Sequence, residues 1–249
     1  MGTGMQRSYV NAGGLFFYSA QASASFVDDT LSSQLVMQLN ASIKHDKFSE
    51  RSQWLGAYSG VMGALGYLPL YSESQSMTTE GSASVWDLII DKLRTRVSSA
   101  LMEQAQRTLE SLRTENDAFA LLRTYSVKDL EAANGQAMHG SLGDRAQGVA
   151  EPVVQKANES LCSIALQLVF VDKEPLLTQV FISFQTLRPA IDVPLLQLIT
   201  QEQVAGLFEL SIVTSQLDEH HYERYREGLV KKLGSRRAEL IIRLGEERH

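Results

Sequence analysis

Apolar and polar residues alternate along two neighbouring runs in the second half of the chain, between Leu161 and Leu187. A period of two is typical of a strand that buries one face. A short Asp-Lys-Glu-Pro turn at residues 172–175 separates the runs, so the pattern predicts an antiparallel hairpin. Residues 207–216 alternate in the same way and predict a third strand. The expected inward positions of the hairpin are Cys162, Ile164, Leu166, Leu168, Phe170, Val180, Ile182 and Phe184.

Apolar residues elsewhere recur at spacings of three and four, which predicts amphipathic helices. Asp28 or Asp29 is expected to cap the first helix, whose stripe ends at Ile43. Ser84 and Asp87 form a capping box at the start of one long helix that reaches Leu112. The other expected elements are a short strand at 15–18, a helix at 50–67, an edge strand or loop at 71–83, short helices near 119–125 and 126–137, and a C-terminal helix from Tyr222 to Leu244.

An apolar sheet face must be covered, so these elements predict an α+β fold in which helices, one of them long, pack on a small antiparallel sheet. We expect a single domain over residues 1–249. It comprises a helical part at 28–138, a loop at 139–150, and a sheet with a C-terminal helix at 151–249. The pattern predicts no state for residues 190–206. The side chains expected to be buried are Trp54, Trp86, Leu93, Val97, Ile164, Leu166, Phe170, Ile182, Phe184 and Leu229.

Composition narrows the functional classes. A hydrophobic share of 44% and a charged share of 21% are ordinary for a globular chain, and the net charge of -6 argues against broad nucleic-acid binding. The one cysteine, Cys162, lies on an apolar strand face and is interpreted as a small buried hydrophobe. The first residues lack the pattern of a cleaved signal peptide, which favours a cytoplasmic protein or one exported without such a signal.

Two segments are similar to a group of bacterial and fungal proteins without an assigned activity. The first runs from DTLSSQLVMQL (29–39) through HDK to WLGAYSGVMGALGY (54–67), and the second is YERYREGLVKKLG (222–234). The resemblance implies a shared fold. It supplies no catalytic residues, and Tyr67 stands where the group is expected to have tryptophan.

No set of residues has the spacing of a known catalytic, metal or cofactor site, so none is assigned. His220 and His221 are adjacent and cannot form an i,i+4 ligand pair, and they are interpreted as solvated residues at a helix start. Asp87 and Asp91 share a helix face, where an acid–base pair is possible but a solvated charged face is the more usual meaning. The segment GVMGALG (60–66) is neither a dinucleotide-binding nor a P-loop motif.

Residues 52–72 contain no charged side chain. Trp54, Gly56, Gly60, Gly63 and Gly66 mark this segment as a candidate functional helix. Regular small residues indicate either a core helix that packs closely against another element, or a latent membrane-inserting helix. The first interpretation is favoured, because many of the residues are Gly, Ser or Tyr and Pro69 interrupts the run.

Three functional classes follow. The first is a non-enzymatic structural or interaction protein that self-assembles as a homo-oligomer. It is favoured by the long helix with its apolar stripe, by a predicted sheet with spare edges and by the lack of a catalytic set. The second is a helical membrane-active protein, of the pore-forming or toxin kind, that uses residues 52–72. The third is an enzyme without a readable motif, the least favoured because no catalytic set is present. The sequence predicts no cofactor and no particular ligand, substrate or partner.

Overall fold

The computed structural model describes residues 6–130, 161–187 and 199–245. Within these ranges the strands form one eight-stranded sheet between two layers of helices. The strands are β1 (Arg7–Asn11), β2 (Gly14–Tyr18), β3 (Tyr67–Met77), β4 (Val127–Asp129), β5 (Leu161–Val171), β6 (Leu176–Leu187), β7 (Val204–Leu217) and β8 (Ile241–Leu244). The helices are α1 (Ala24–Lys44), α2 (Arg51–Ala64), α3 (Val85–Leu93), α4 (Ser99–Ser111), α5 (Asn116–Ser126), α6 (Glu219–Leu233) and α7 (Arg236–Leu240).

The strand order is β3-β7-β6-β5-β2-β1-β8, and β4 also pairs with β5. All pairings are antiparallel except β2 with β5. The predicted hairpin is β5–β6 at the centre of the sheet, and the predicted third strand is β7. The α+β class is therefore confirmed. The sheet is larger than predicted, because strands from the first half of the chain join it. It is also mixed rather than purely antiparallel, because β2 pairs with β5 in parallel.

Two separate apolar cores lie on the two faces of the sheet. Helices α3, α4 and α5 cover one face, to which Leu166, Ile182 and Phe208 contribute. Helices α1, α2, α6 and α7 cover the other, to which Phe16, Val169 and Phe181 contribute. The hairpin is thus buried on both faces rather than on one, and all ten side chains expected to be buried are so.

The prediction of one long helix from Ser84 to Leu112 is wrong, because the chain forms two helices there, α3 and α4. The capping box of Ser84 and Asp87 begins α3 as predicted, but the chain leaves the helix after Leu93. Ser98 then caps α4 by accepting a hydrogen bond from the Leu101 N–H, and it also bonds to Asp172. The apolar stripe continues across the break, so periodicity alone does not reveal it.

Several predicted ends also differ. Ser23, not Asp28 or Asp29, caps α1, and Ile43 at its far end is 80% exposed. Residues 127–129 form strand β4 instead of a helix, and residues 241–244 leave the C-terminal helix to pair with β1 as strand β8. Strand β4 pairs with β5 and strand β8 pairs with β1, and both partners are distant in the sequence. These strands therefore depend on tertiary pairing rather than on local propensity. The loop at 139–150 and most of 190–206 lie outside the described residues.

Candidate functional site

Strand β3 forms one edge of the sheet and is the longest exposed strand surface among the described residues. It pairs with β7 along one side only. The register shifts between Pro69 and Tyr71, so Leu70 lies in an irregularity of the strand. Proline has no N–H to donate, which is why it is tolerated on an edge strand. The uncharged segment that the sequence singled out therefore ends in an edge strand, and residues 52–72 are not one helix.

Large apolar side chains are exposed at the first half of this edge. Leu68 is 53% exposed, Leu70 59% and Tyr71 37%. Leu68 and Leu176 both lie opposite Gln216, one from each side, so they share a face of the sheet. Leu176 is itself 39% exposed. We call Leu68, Leu70, Tyr71 and Leu176 the apolar corner.

A charge cluster borders the apolar corner. The Tyr71 hydroxyl donates to the Glu73 carboxylate, and the Arg96 guanidinium lies 4.1 Å from the centre of the Tyr71 ring. Arg96 Nη2 is also 3.4 Å from a Glu73 oxygen. The hydrogen bond from Tyr71, together with the cation, lowers the pKa of Glu73. Glu73 is the only charged residue of β3, and its charge is thus compensated by Arg96 within the same chain.

The solvent-facing side of helix α2, next to β3, consists mainly of small, uncharged residues. A Cβ placed at Gly56, Gly60 or Gly63 would meet no atom within 4 Å. The close-packing interpretation therefore does not hold for these three glycines within the folded chain. Trp54 lies on the opposite, buried face, where its indole N–H donates to Ser42 Oγ at 2.9 Å and its ring stacks 5.3 Å from Tyr58.

Gly66 differs from the other three glycines because its surroundings require it. Its φ of +88° is unfavourable for other residues, and a Cβ there would lie 2.8 Å from the His221 ring. His221 Nε2 is 3.0 Å from the Ala64 carbonyl oxygen, at the end of α2. His220 is exposed as expected, whereas His221 is half-buried and joins α6 to the end of α2.

The layer between α1 and the sheet is polar, which the sequence pattern did not indicate. Four buried tyrosines from different elements each bond to α1, and burial raises the pKa of each, so that all four stay protonated. Polar residues on α1 would ordinarily be interpreted as its solvent face. The pairs are Tyr18 with Thr30, Tyr67 with Ser33, Tyr58 with Gln34, and Tyr222 with the Asp29 carbonyl.

Lys47 lies in a small cavity beneath the α1–α2 loop. Its Nζ donates to the Ala165 carbonyl at 3.1 Å, and burial, together with the nearby Arg51 charge, lowers the pKa of Lys47 to about 7. Arg51 in turn bonds to the Phe181 carbonyl and to Glu209, both at 3.1 Å. The cavity measures about 20 Å³, which is room for about one water molecule. This cavity is therefore too small for an organic substrate.

The remaining candidates are not brought together. Asp87 and Asp91 are exposed; Asp87 completes the cap of α3, and Asp91 pairs with Arg94. Cys162 is buried, as predicted. Within the described ranges, no group of His, Cys, Asp and Glu could hold a metal ion. Among the same residues, no helix has the length and hydropathy needed to cross a bilayer.

No family model matches the sequence, and no curated protein is detectably similar to it. Among solved structures, a delta-endotoxin is similar at 9% identity and a TM-score of 0.40, over 83% of this chain and 81% of that chain. The activated Cyt2Ba monomer from Bacillus thuringiensis subsp. israelensis is similar at 11% identity and a TM-score of 0.42, over 83% of this chain and 98% of that chain. At such scores the two likenesses carry no argument about family or activity.

Gly66→Ala is expected to destabilise the protein by about 2 kcal/mol, because it combines a positive φ with the His221 contact. His221→Ala in the same background should recover only part of this loss, since the φ is unchanged. Gly60→Ala is the matched control. It adds a Cβ in open space within a helix, and should raise the free energy of unfolding by up to about 1 kcal/mol. Urea unfolding measures all three, and equal effects at Gly66 and Gly60 would contradict the assignment.

Stability is expected to rise between pH 7 and pH 9 through Lys47. The folded chain releases the Lys47 proton near 7, whereas the unfolded chain holds it up to about 10.5, so the unfolded state binds more protons in this window. The slope should be no more than about 1 kcal/mol per pH unit, because the side chain is only partly shielded from solvent. Lys47→Met should remove the slope in urea unfolding, and the exposed Lys44→Met should keep it. A slope that persists in Lys47→Met would assign it to other groups.

Proposed function

We propose that this protein is a non-enzymatic structural or interaction protein that self-assembles through the outer edge of β3. One observation carries the proposal: an 11-residue edge strand pairs along one side only and exposes the apolar corner at its start. An edge strand presents unpaired N–H and C=O groups, which a second strand can satisfy. At about 3.3 Å per residue, β3 offers about 36 Å of edge. The opposite edge, β8, has four residues and offers far less.

The details of β3 indicate where the contact forms. Pro69 and the register shift interrupt the regular edge near its start, so strand pairing is best continued from Tyr71 to Met77. A charge on an edge normally opposes pairing with another copy. Here Arg96 neutralises Glu73 within one chain, so the two copies bring no uncompensated charge together. Leu68, Leu70 and Leu176 then add apolar area beside the paired strands.

Sedimentation across a wide concentration range tests this assembly. We expect the mean mass to rise with concentration, and Leu70→Lys to hold the protein as a monomer, because edge lysines oppose pairing. Ile43→Lys is the matched control, since it makes the same change at an exposed site on α1, 80% exposed against 59% for Leu70. It should assemble like the original chain. A monomer at every concentration, or equal loss in both variants, would overturn the proposal.

Amide hydrogen exchange locates the contact independently. Outward-facing amides of residues 71–77 should exchange more slowly as the assembled fraction rises, while those of β8 should not change. Slower exchange confined to another surface would place assembly elsewhere.

Membrane association is the second candidate function, and one observation favours it. The uncharged exposed face of α2 runs directly into the apolar corner, and the chain carries no charged side chain from Ser52 to Ser72. Helix α2 has 14 residues, about 21 Å at 1.5 Å per residue, against about 30 Å for a bilayer core. Contact with a lipid surface is therefore better supported than insertion of α2 as a spanning helix.

Vesicle co-sedimentation and dye release separate the two candidates. Membrane association predicts that Gly60→Lys weakens vesicle binding, because it places a charge at the centre of the uncharged face. Assembly in solution through β3 predicts concentration-dependent mass without any lipid. Intact, unbound vesicles at neutral and acidic pH would exclude the second candidate and leave the first unaffected.

A further inference from the structure

A second surface lies at the other side of the molecule, between the β1–β8 edge and helices α1 and α7. It is a groove of about 690 Å³, within the range of about 300–1,000 Å³ that small-molecule sites occupy. Its lining combines cationic and apolar side chains, among them Arg7, Tyr9, Leu31, Arg237, Ile241 and Arg243. Neither the β3 edge nor the α2 face contributes to it.

Two arginines stand on the sheet side of the groove. Tyr9 lies directly opposite Arg243 across the β1–β8 pair, and Arg7 is two residues before Tyr9 on the same face of β1. Arg7 and Arg243 are therefore diagonal neighbours, with backbones about 7–8 Å apart. Arg7 donates to the Ala22 carbonyl through Nη2, but its buried Nε has no hydrogen-bond partner among the described residues.

A third arginine faces them from the helical side. Arg237 Nε donates to Ser32 Oγ at 3.0 Å, and its Nη2 pairs with Asp28. These two contacts hold the guanidinium at the groove. The lining contains three arginines and one carboxylate, Asp28, so its net charge is positive in a protein whose overall charge is -6. An anion is therefore the ligand that the groove favours.

The rest of the lining selects for an apolar group attached to that anion. Tyr9 and Ile241 are half-buried side chains that line the groove above the buried Val27 and Leu31, and Val230 at its margin is 40% exposed. A guanidinium fork matches the geometry of a carboxylate or phosphate, and an apolar wall is favourable for a hydrocarbon chain. We propose that this groove binds an amphiphilic oxyanion, a single carboxylate or phosphate head group on an apolar chain.

Titration calorimetry with three matched probes tests the two halves of this proposal. Octyl phosphate carries both head and chain, inorganic phosphate lacks the chain, and octyl glucoside replaces the anion with a neutral head. We expect octyl phosphate to bind at least tenfold more tightly than either of the others. Equal affinity for octyl phosphate and octyl glucoside, or no binding of octyl phosphate, would overturn the proposal.

Variants place the binding in the groove. Arg7→Gln and Arg237→Gln should each weaken octyl phosphate binding about tenfold, while Arg236→Gln, an exposed neighbour on α7, should leave it unchanged. Arg237 also holds α1 through Asp28 and Ser32, so thermal unfolding of each variant identifies any loss of fold. Arg7→Gln, which breaks no ion pair with a described residue, keeps the test decisive. Unchanged affinity in folded Arg7→Gln and Arg237→Gln would reject the groove.

A further experiment distinguishes a lipid head group from a soluble anion as the ligand. Vesicles of phosphatidylcholine with phosphatidic acid present the same phosphate in a lipid surface. If the protein binds these vesicles and Arg7→Gln abolishes that binding, the ligand is a lipid head group. If the protein binds octyl phosphate but not the vesicles, the ligand is a soluble anion. Because the groove is remote from β3, Leu70→Lys should leave both results unchanged. Failure of the assembly proposal and failure of this one are therefore distinguishable.

Discussion

Leu166→Asp is expected to abolish soluble expression of the protein. Leu166 is 2% exposed on the central strand β5, opposite Ile182, and it belongs to the core under α3–α5. An aspartate there would place an unpaired carboxylate in an apolar environment, at a cost of several kcal/mol in addition to the lost packing. A domain has only about 5–15 kcal/mol of stability in total, so the fold should not survive.

The soluble fraction after lysis and near-ultraviolet circular dichroism measure this effect. Gln185→Asp is the matched control, because it introduces the same carboxylate at an exposed position of the partner strand β6. It should express as the original chain does. A soluble Leu166→Asp protein with an intact near-ultraviolet spectrum would mean that this face of the sheet is not a core.

Arg226→Gln is expected to lower the free energy of unfolding by about 3 kcal/mol. Arg226 Nε and Nη2 each donate at 2.8 Å to a different oxygen of Asp29, and this pair joins α6 to α1. Bonding to Asp29 raises the pKa of Arg226. Asp29 is 5% exposed, so loss of the cation leaves a buried carboxylate without its partner. The Arg226 side chain is 34% exposed, which places the cost at the lower end for buried ion pairs.

A double-mutant cycle separates the ion pair from simple truncation. Asp29→Asn added to Arg226→Gln should recover much of the loss, because a neutral amide needs no cation. Arg224→Gln, exposed on the same helix, should change stability by no more than about 0.5 kcal/mol. Urea unfolding gives all values. Equal costs for Arg226→Gln and Arg224→Gln would show that the pair contributes nothing measurable.

The candidate surfaces were only partly predictable. The uncharged run from 52 to 72 was visible in the sequence, but its division between α2 and the edge strand β3 was not. Gly56, Gly60 and Gly63 suggested close packing because the sequence does not show which side of a helix meets a partner. The arginines of the groove, Arg7, Arg237 and Arg243, come from opposite ends of the chain, and only strand pairing brings them together.

The sequence by itself determined the hairpin β5–β6, strand β7, the caps at Ser84 and Asp87, and the buried side chains. These features follow from side-chain period and local hydrogen bonding, which act over a few residues. Tertiary structure alone decided the division of the long helix at Ser98, the strands β4 and β8, and the polar layer beneath α1. The period of apolar residues indicates that a face is buried, but it does not indicate which element covers that face. The division at Ser98 and the strand β8 depend on partners distant in the chain, Asp172 for Ser98 and β1 for β8.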